Sequence, residues 1–70
     1  MQHIAQRIEA LRVAKGLSET QLAAESGIAR MTLKRRMVTP STFTFGELER
    51  VAQVLDTTPF DLAADIEASA

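Results

Sequence analysis

Ser18-Glu19-Thr20-Gln21-Leu22-Ala23-Ala24-Glu25-Ser26-Gly27-Ile28-Ala29-Arg30-Met31-Thr32-Leu33-Lys34-Arg35-Arg36-Met37 is the stretch on which the fold of this chain turns. Ser18 and Gln21 stand three apart, so each side chain can bond the other's backbone N–H in a capping box. Leu17 and Leu22 occupy the two positions of a hydrophobic staple across the same boundary. These two start signals predict a helix over about 19–26, stopped by Gly27, which tolerates a left-handed backbone. A second helix is expected over about 30–37, with Ile28 and Leu33 as its staple. Ala23 falls on the inner face of the first helix. Its methyl group permits a close helix crossing, whereas a larger side chain would push the partner away.

Two short helices meeting at a glycine, the second rich in positive charge, read as a helix-turn-helix whose second helix lies in a DNA major groove. The formal net charge of −1 does not suggest a polyanionic partner, but the distribution does. Between Gly27 and Gly46 stand Arg30, Lys34, Arg35 and Arg36 with no acid, whereas from Glu47 onward six acids face one base, Arg50. A merely solvated basic helix usually interleaves acids at i+4, and this one has none. Arg30 and Lys34, four apart, share a face and can donate to guanine O6 and N7. Met31 offers an apolar contact for a thymine methyl group or fills a gap beneath the helix. Arg36 lies away from the base-facing row and is expected on phosphate. Ala29 is a poor N-cap, which is either a weak start costing about 1 kcal/mol or a set of open amides that face a phosphate.

The flanking sequence supplies three more helices. Ile4, Ala5, Ile8 and Leu11 form one apolar face of a helix from Gln2 to Ala14 or Lys15, closed by Gly16. A loop from Val38 to Thr44 follows. Thr44 and Glu47 form another capping box, Phe43 and Leu48 a staple, and Leu48, Val51, Ala52 and Leu55 an apolar stripe. Asp56 ends that helix where glycine would be more comfortable. The last helix opens with Thr58 as cap, Pro59 at its first position and Asp61 two further on, and Phe60, Leu62, Ala63 and Ile66 can reach the core or a partner. The expected architecture is all-α: five compact helices in one domain over residues 1–66, with 67–70 a frayed tail.

These words, taken together, resemble the phage repressor/Cro (Xre-type) helix-turn-helix family. They are Leu11-Arg12, Lys15-Gly16-Leu17-Ser18, Gln21-Leu22-Ala23, Ser26-Gly27-Ile28 and Thr32-Leu33. Glu47-Leu48, Val51-Ala52, Leu55 and Thr58-Pro59-Phe60-Asp61-Leu62 follow. The likeness spans about residues 4–64. The run Thr-Leu-Lys-Arg-Arg-Met with the later Phe-Thr-Phe-Gly-Glu-Leu is similar to versions in actinobacteria and their phages. The resemblance implies a lambda-repressor-like fold and base-edge contacts from Arg30, Met31, Lys34 and Arg35. It implies phosphate contacts at Ser18 and Gln21, at Thr32 near the start of the second motif helix, and at Thr39 and Ser41 in the loop after it. Three positions depart from the family pattern. Glu19 stands where glutamine is frequent and repels phosphate. Ala29 replaces a serine or threonine cap. Met37 replaces a glutamate that commonly pairs with the first-helix arginine, so Arg12 needs another partner or faces solvent.

Other chemistry is sparse. With no cysteine, no disulfide or cysteine-zinc site can form. His3 is lone and near a terminus, so no metal is expected. Glu47 and Glu49 do not make a catalytic pair, since one has a capping task, and no phosphate loop or nucleophile elbow is present. No enzyme activity and no cofactor are expected. No apolar run approaches the ~20 residues of a membrane span, nor does the N-terminus contain a signal-peptide core. The sequence therefore predicts a cytoplasmic transcriptional regulator, a repressor or Cro-like protein on double-stranded DNA in a bacterial cell or phage-infected host. The alternative is a protein-interaction module, antitoxin-like or adaptor. The surface for pairing offers Val38, Phe60 and Ile66 against Asp61, Asp65 and Glu67, far short of the ~800 Å² per partner of a stable interface. A monomer or weak dimer is expected, with pairing on DNA if at all.

Overall fold

The chain is described by a computed structural model over residues 2–63. In order come α1 (Gln2–Lys15), α2 (Glu19–Ser26), α3 (Arg30–Val38), a 3-10 turn (Pro40–Thr42), α4 (Phe45–Val54) and α5 (Pro59–Ala63). Among the described residues the structure is all-helical, as the sequence patterns predict.

Each boundary has a local cause. Ser18 Oγ accepts from the Gln21 N–H at 3.0 Å, and Gln21 Oε1 accepts from the Ser18 N–H at 2.8 Å. Thr44 and Glu47 repeat the arrangement at the start of α4, at 3.1 and 2.9 Å. The ends of α1, α2 and α4 share one device. Leu17 N–H reaches Arg12 O, Ile28 N–H reaches Ala23 O, and Thr57 N–H reaches Ala52 O. These are Schellman closures, and each needs a left-handed residue. Gly16 (φ 74°), Gly27 (φ 72°) and Asp56 (φ 58°) supply it.

The core gathers Ile4 and Ile8 from α1, Leu22 and Ala23 from α2, and Leu33 from α3. Phe43, Val51, Ala52, Leu55 and Leu62 complete it from the other side. Leu11, Leu17, Met37, Leu48 and Val54 pack around its edge. Ala23 is buried, and α2 packs against both α3 and α4. Such a crossing leaves space for a methyl group and little more.

One detail differs from the expectations, and a second decides between two alternatives. The loop after α3 is not irregular throughout: Pro40–Thr42 form a 3-10 turn that packs on α1 and α3. Its geometry follows from Pro40, which is buried at the first turn position, and from Thr42, whose hydroxyl and N–H both donate to Thr39 O. Phe60 is 79% exposed, so of the last-helix apolar residues described, Leu62 alone enters the core. Ile66 and the tail lie outside the described residues.

Candidate nucleic-acid interface

Leu33 and Met37 fix the orientation of α3, because they are its side chains in and beside the core. At 100° per residue this turns Met31, Lys34, Arg35 and Val38 away from the core, and Arg30 begins the helix; all five are exposed. The four residues expected at base edges therefore occupy one surface. Among the described residues, no carboxylate lies within ion-pair distance of Arg30, Lys34 or Arg35. Their charge is available to a partner. Met31 is 65% exposed, so it does not fill a gap beneath the helix.

Thr32 and Arg36 are half-buried. Arg36, expected on phosphate, has a partner within the protein. Its Nε donates to Glu47 Oε1 at 3.0 Å and its Nη2 to Glu47 Oε2 at 3.5 Å. The guanidinium thus ties α3 to the first turn of α4. Glu47 is nearly buried and carries two tasks, because the same Oε1 also accepts the Thr44 N–H. The Thr44 backbone N–H and then the Arg36 guanidinium hold its carboxyl below the ordinary carboxylate range. Glu47 was legible as a capping residue. Its bond to Arg36, eleven positions away, leaves no local pattern.

Ser18 and Gln21 are exposed at the start of α2. The capping box uses their acceptor oxygens, so the serine O–H and the glutamine amide N–H remain as outward donors. Thr39 and Ser41 are exposed on the segment after α3. Ala29 gives α3 no side-chain cap. Glu19 is exposed at the first position of α2, beside these donors.

Arg12 has found a partner within its own helix. Its Nε donates to Glu9 Oε1 at 3.1 Å, its Nη2 to Glu9 Oε2, and its Nη1 to Leu17 O at 2.6 Å. The hydrogen bond to Glu9 raises the Arg12 pKa and lowers that of Glu9. The sequence pattern did not single out Arg50. A Cβ placed on Gly27 would lie 3.6 Å from its Nη1, so this cation rests against the turn between α2 and α3.

A capped α2, a left-handed glycine and an outward basic α3 make a helix-turn-helix in geometry as well as in pattern. Comparison with protein families agrees: the helix-turn-helix family of the Xre/lambda-repressor type matches residues 8–62, which is most of the chain. The chain belongs to this helix-turn-helix family. Comparison with curated proteins and with solved structures gave no significant match. Membership makes the chain a DNA-binding transcriptional regulator in kind, with double-stranded DNA as its partner, and does not favour the interaction-module alternative. Among the described residues, no helix is long and apolar enough to cross a membrane, and no cluster of potential ligands could hold a metal ion.

Proposed function

We propose that this helix-turn-helix protein is a phage-type repressor or Cro-like regulator. It acts in the cytoplasm of a bacterial cell or phage-infected host and reads the major groove with α3. The observation that carries this reading is the exposed cationic face of α3, without a carboxylate partner among the described residues, beside the exposed cap of α2. Arg30 and Lys34 present forked and point-charge donors to guanine edges, Met31 meets a thymine methyl group, and Arg35 reads at the edge of that row. Ser18, Gln21, Thr39 and Ser41 take phosphates, which set register without specifying sequence. Thr32 is half-buried beside that row, and Arg36 positions α3 through Glu47 instead of meeting phosphate.

Selection of bound duplexes from a random pool would define the site. On the best site, Arg30→Ala or Lys34→Ala is expected to lower affinity by about 1–3 kcal/mol and to relax preference at one or two base pairs. A site unchanged by both substitutions would overturn the orientation of α3. In free solution the protein is a monomer or a weak dimer, which sedimentation at micromolar concentration reads directly. A reporter under the selected site distinguishes repression from activation.

A further inference from the structure

The helix α3 packs on α2 and on the 3-10 turn, while α1 packs on α5 and on that same turn. Between α1 and α3 lies an open groove of about 380 Å³. Leu22, Leu33 and Met37 reach it from below, and Ala5 and Val38 form its two walls. Val38 is 77% exposed, a large apolar side chain with no role in the core. From Ala5 to Arg12 the groove follows about 10 Å of α1 at a rise of about 1.5 Å per residue. That length takes two apolar side chains one helical turn apart, which stand about 5–6 Å from each other.

The rim decides the charge of the occupant. On the α1 side Glu9 and Arg12 already neutralise one another. On the α3 side Arg30 and Lys34 line the groove and have no carboxylate partner among the described residues. Glu19, at the α2 end, is a single acid against those two cations. An occupant with carboxylates on the α3 side satisfies both cations.

We infer that this groove is a docking site for an acidic amphipathic helix of a partner protein, and that its occupation excludes DNA. The helix seats two apolar side chains between Ala5, Met37 and Val38, above the buried Leu22 and Leu33, and its carboxylates meet Arg30 and Lys34. Those two cations also belong to the base-reading row, so the acidic helix and the duplex compete for the same charges. The competition rests on the DNA reading above; the docking does not. Such a partner releases the regulator from DNA without any change of fold.

The test uses a labelled, helix-stapled peptide of about twelve residues, because an unstapled one of that length is marginally helical in water. It has leucines at i and i+4 on one face, flanked by glutamates. A permuted peptide of the same composition has its leucines on opposite faces. Anisotropy with the whole chain alone reads docking, and displacement of a labelled duplex reads competition. The patterned peptide is expected to bind at least about tenfold more tightly than the permuted one and to displace the duplex. Val38→Ser and Ala5→Gln, neither of which changes the net charge, are expected to weaken the peptide at least about fivefold while duplex affinity stays within about twofold. Equal binding of the two peptides would reduce the effect to charge alone and overturn the groove. Docking without displacement would overturn the exclusion of DNA. A dimer in sedimentation that Val38→Ser abolishes would assign the groove to a second copy and overturn the partner helix. Duplex binding measured without peptide tests the DNA reading separately.

Discussion

At the scale of single residues, Arg36 shows how a cation in a recognition helix can serve the scaffold. Its neighbours at i−2 and i−1, Lys34 and Arg35, are exposed, while Arg36 is half-buried against a nearly buried carboxylate. Breaking such a pair leaves a charge poorly solvated, so removing one partner costs more than an exposed bridge would. Glu47→Gln keeps an amide oxygen for the Thr44 N–H and removes the charge and the second acceptor opposite Arg36. It is expected to destabilise the fold by about 1–2 kcal/mol at neutral pH, read by urea denaturation. The sign of its pH dependence follows from the depressed pKa of Glu47. The unfolded carboxyl binds its proton first as pH falls, so the stabilisation is complete above the ordinary carboxylate range and is lost as pH falls through the folded value. The gap between native protein and Glu47→Gln should therefore close below about pH 4.5, the unperturbed glutamate value. A gap that stayed constant down to pH 3 would mean that the charge has no part in it. The outward set Met31, Lys34 and Arg35 was legible from helical spacing, because Leu33 fixes the rotation of α3, whereas Arg30 is exposed as the first residue of that helix. The half-burial of Arg36 follows from the same rotation, but its partner belongs to another element.

At the scale of elements, the helix starts were the most legible feature, because caps and staples are local in sequence. Both capping boxes form as the spacing implies. The 3-10 turn was less legible, since burial of Pro40 depends on α1 and α3, which lie elsewhere in the sequence. Helix ends separate into glycine and non-glycine cases. Asp56 holds φ at 58° where Gly16 and Gly27 do the same without a Cβ. Lys15 Nζ donates to Asp56 Oδ2 at 2.6 Å and to Val54 O at 2.9 Å, joining the ends of α1 and α4. That pair is largely exposed and contributes at most about 1 kcal/mol, similar to the cost of a Cβ in the left-handed region. Asp56→Gly is therefore expected to leave stability within about 0.5 kcal/mol of the native protein. Asp56→Ala keeps the Cβ and loses the bridge, and should destabilise by about 1 kcal/mol. Equal melting temperatures for the two variants would deny the left-handed conformation. The crossing at Ala23 gives a second check: Ala23→Leu should separate the helices packed on α2 at a cost of about 1–3 kcal/mol. An unchanged melting temperature would place the crossing elsewhere.

At the scale of the whole molecule, a count of basic residues overstates the charge that DNA can use. The chain has eight lysines and arginines. The structure commits Arg12 to Glu9, Lys15 to Asp56 and Arg36 to Glu47. Near the helix-turn-helix this leaves Arg30, Lys34 and Arg35 on α3, and Arg50 against the Gly27 turn. The asymmetry between a basic middle and an acidic C-terminal third was plain in the sequence. The pairing that removes Arg36 from the basic set was not, because it joins residues across the loop and the 3-10 turn. Each cation brought against the duplex, in the groove between the phosphates as well as on one, releases counterions and contributes up to about −0.9 to the slope of log affinity against log salt. Three or four available cations give a slope of about −3. Arg35→Gln should make that slope shallower by nearly ~0.9, because its charge is exposed and, among the described residues, has no carboxylate partner. Arg36→Gln should change it little, because Arg36 held on Glu47 neutralises no phosphate. Both variants are read on the folded protein by titrating a duplex over a series of salt concentrations. A native slope near −4.5, with Arg36→Gln reducing it as much as Arg35→Gln does, would mean that Arg36 leaves Glu47 for phosphate when DNA binds. The link between α3 and α4 would then break on binding, and part of the affinity would be lost in opening it.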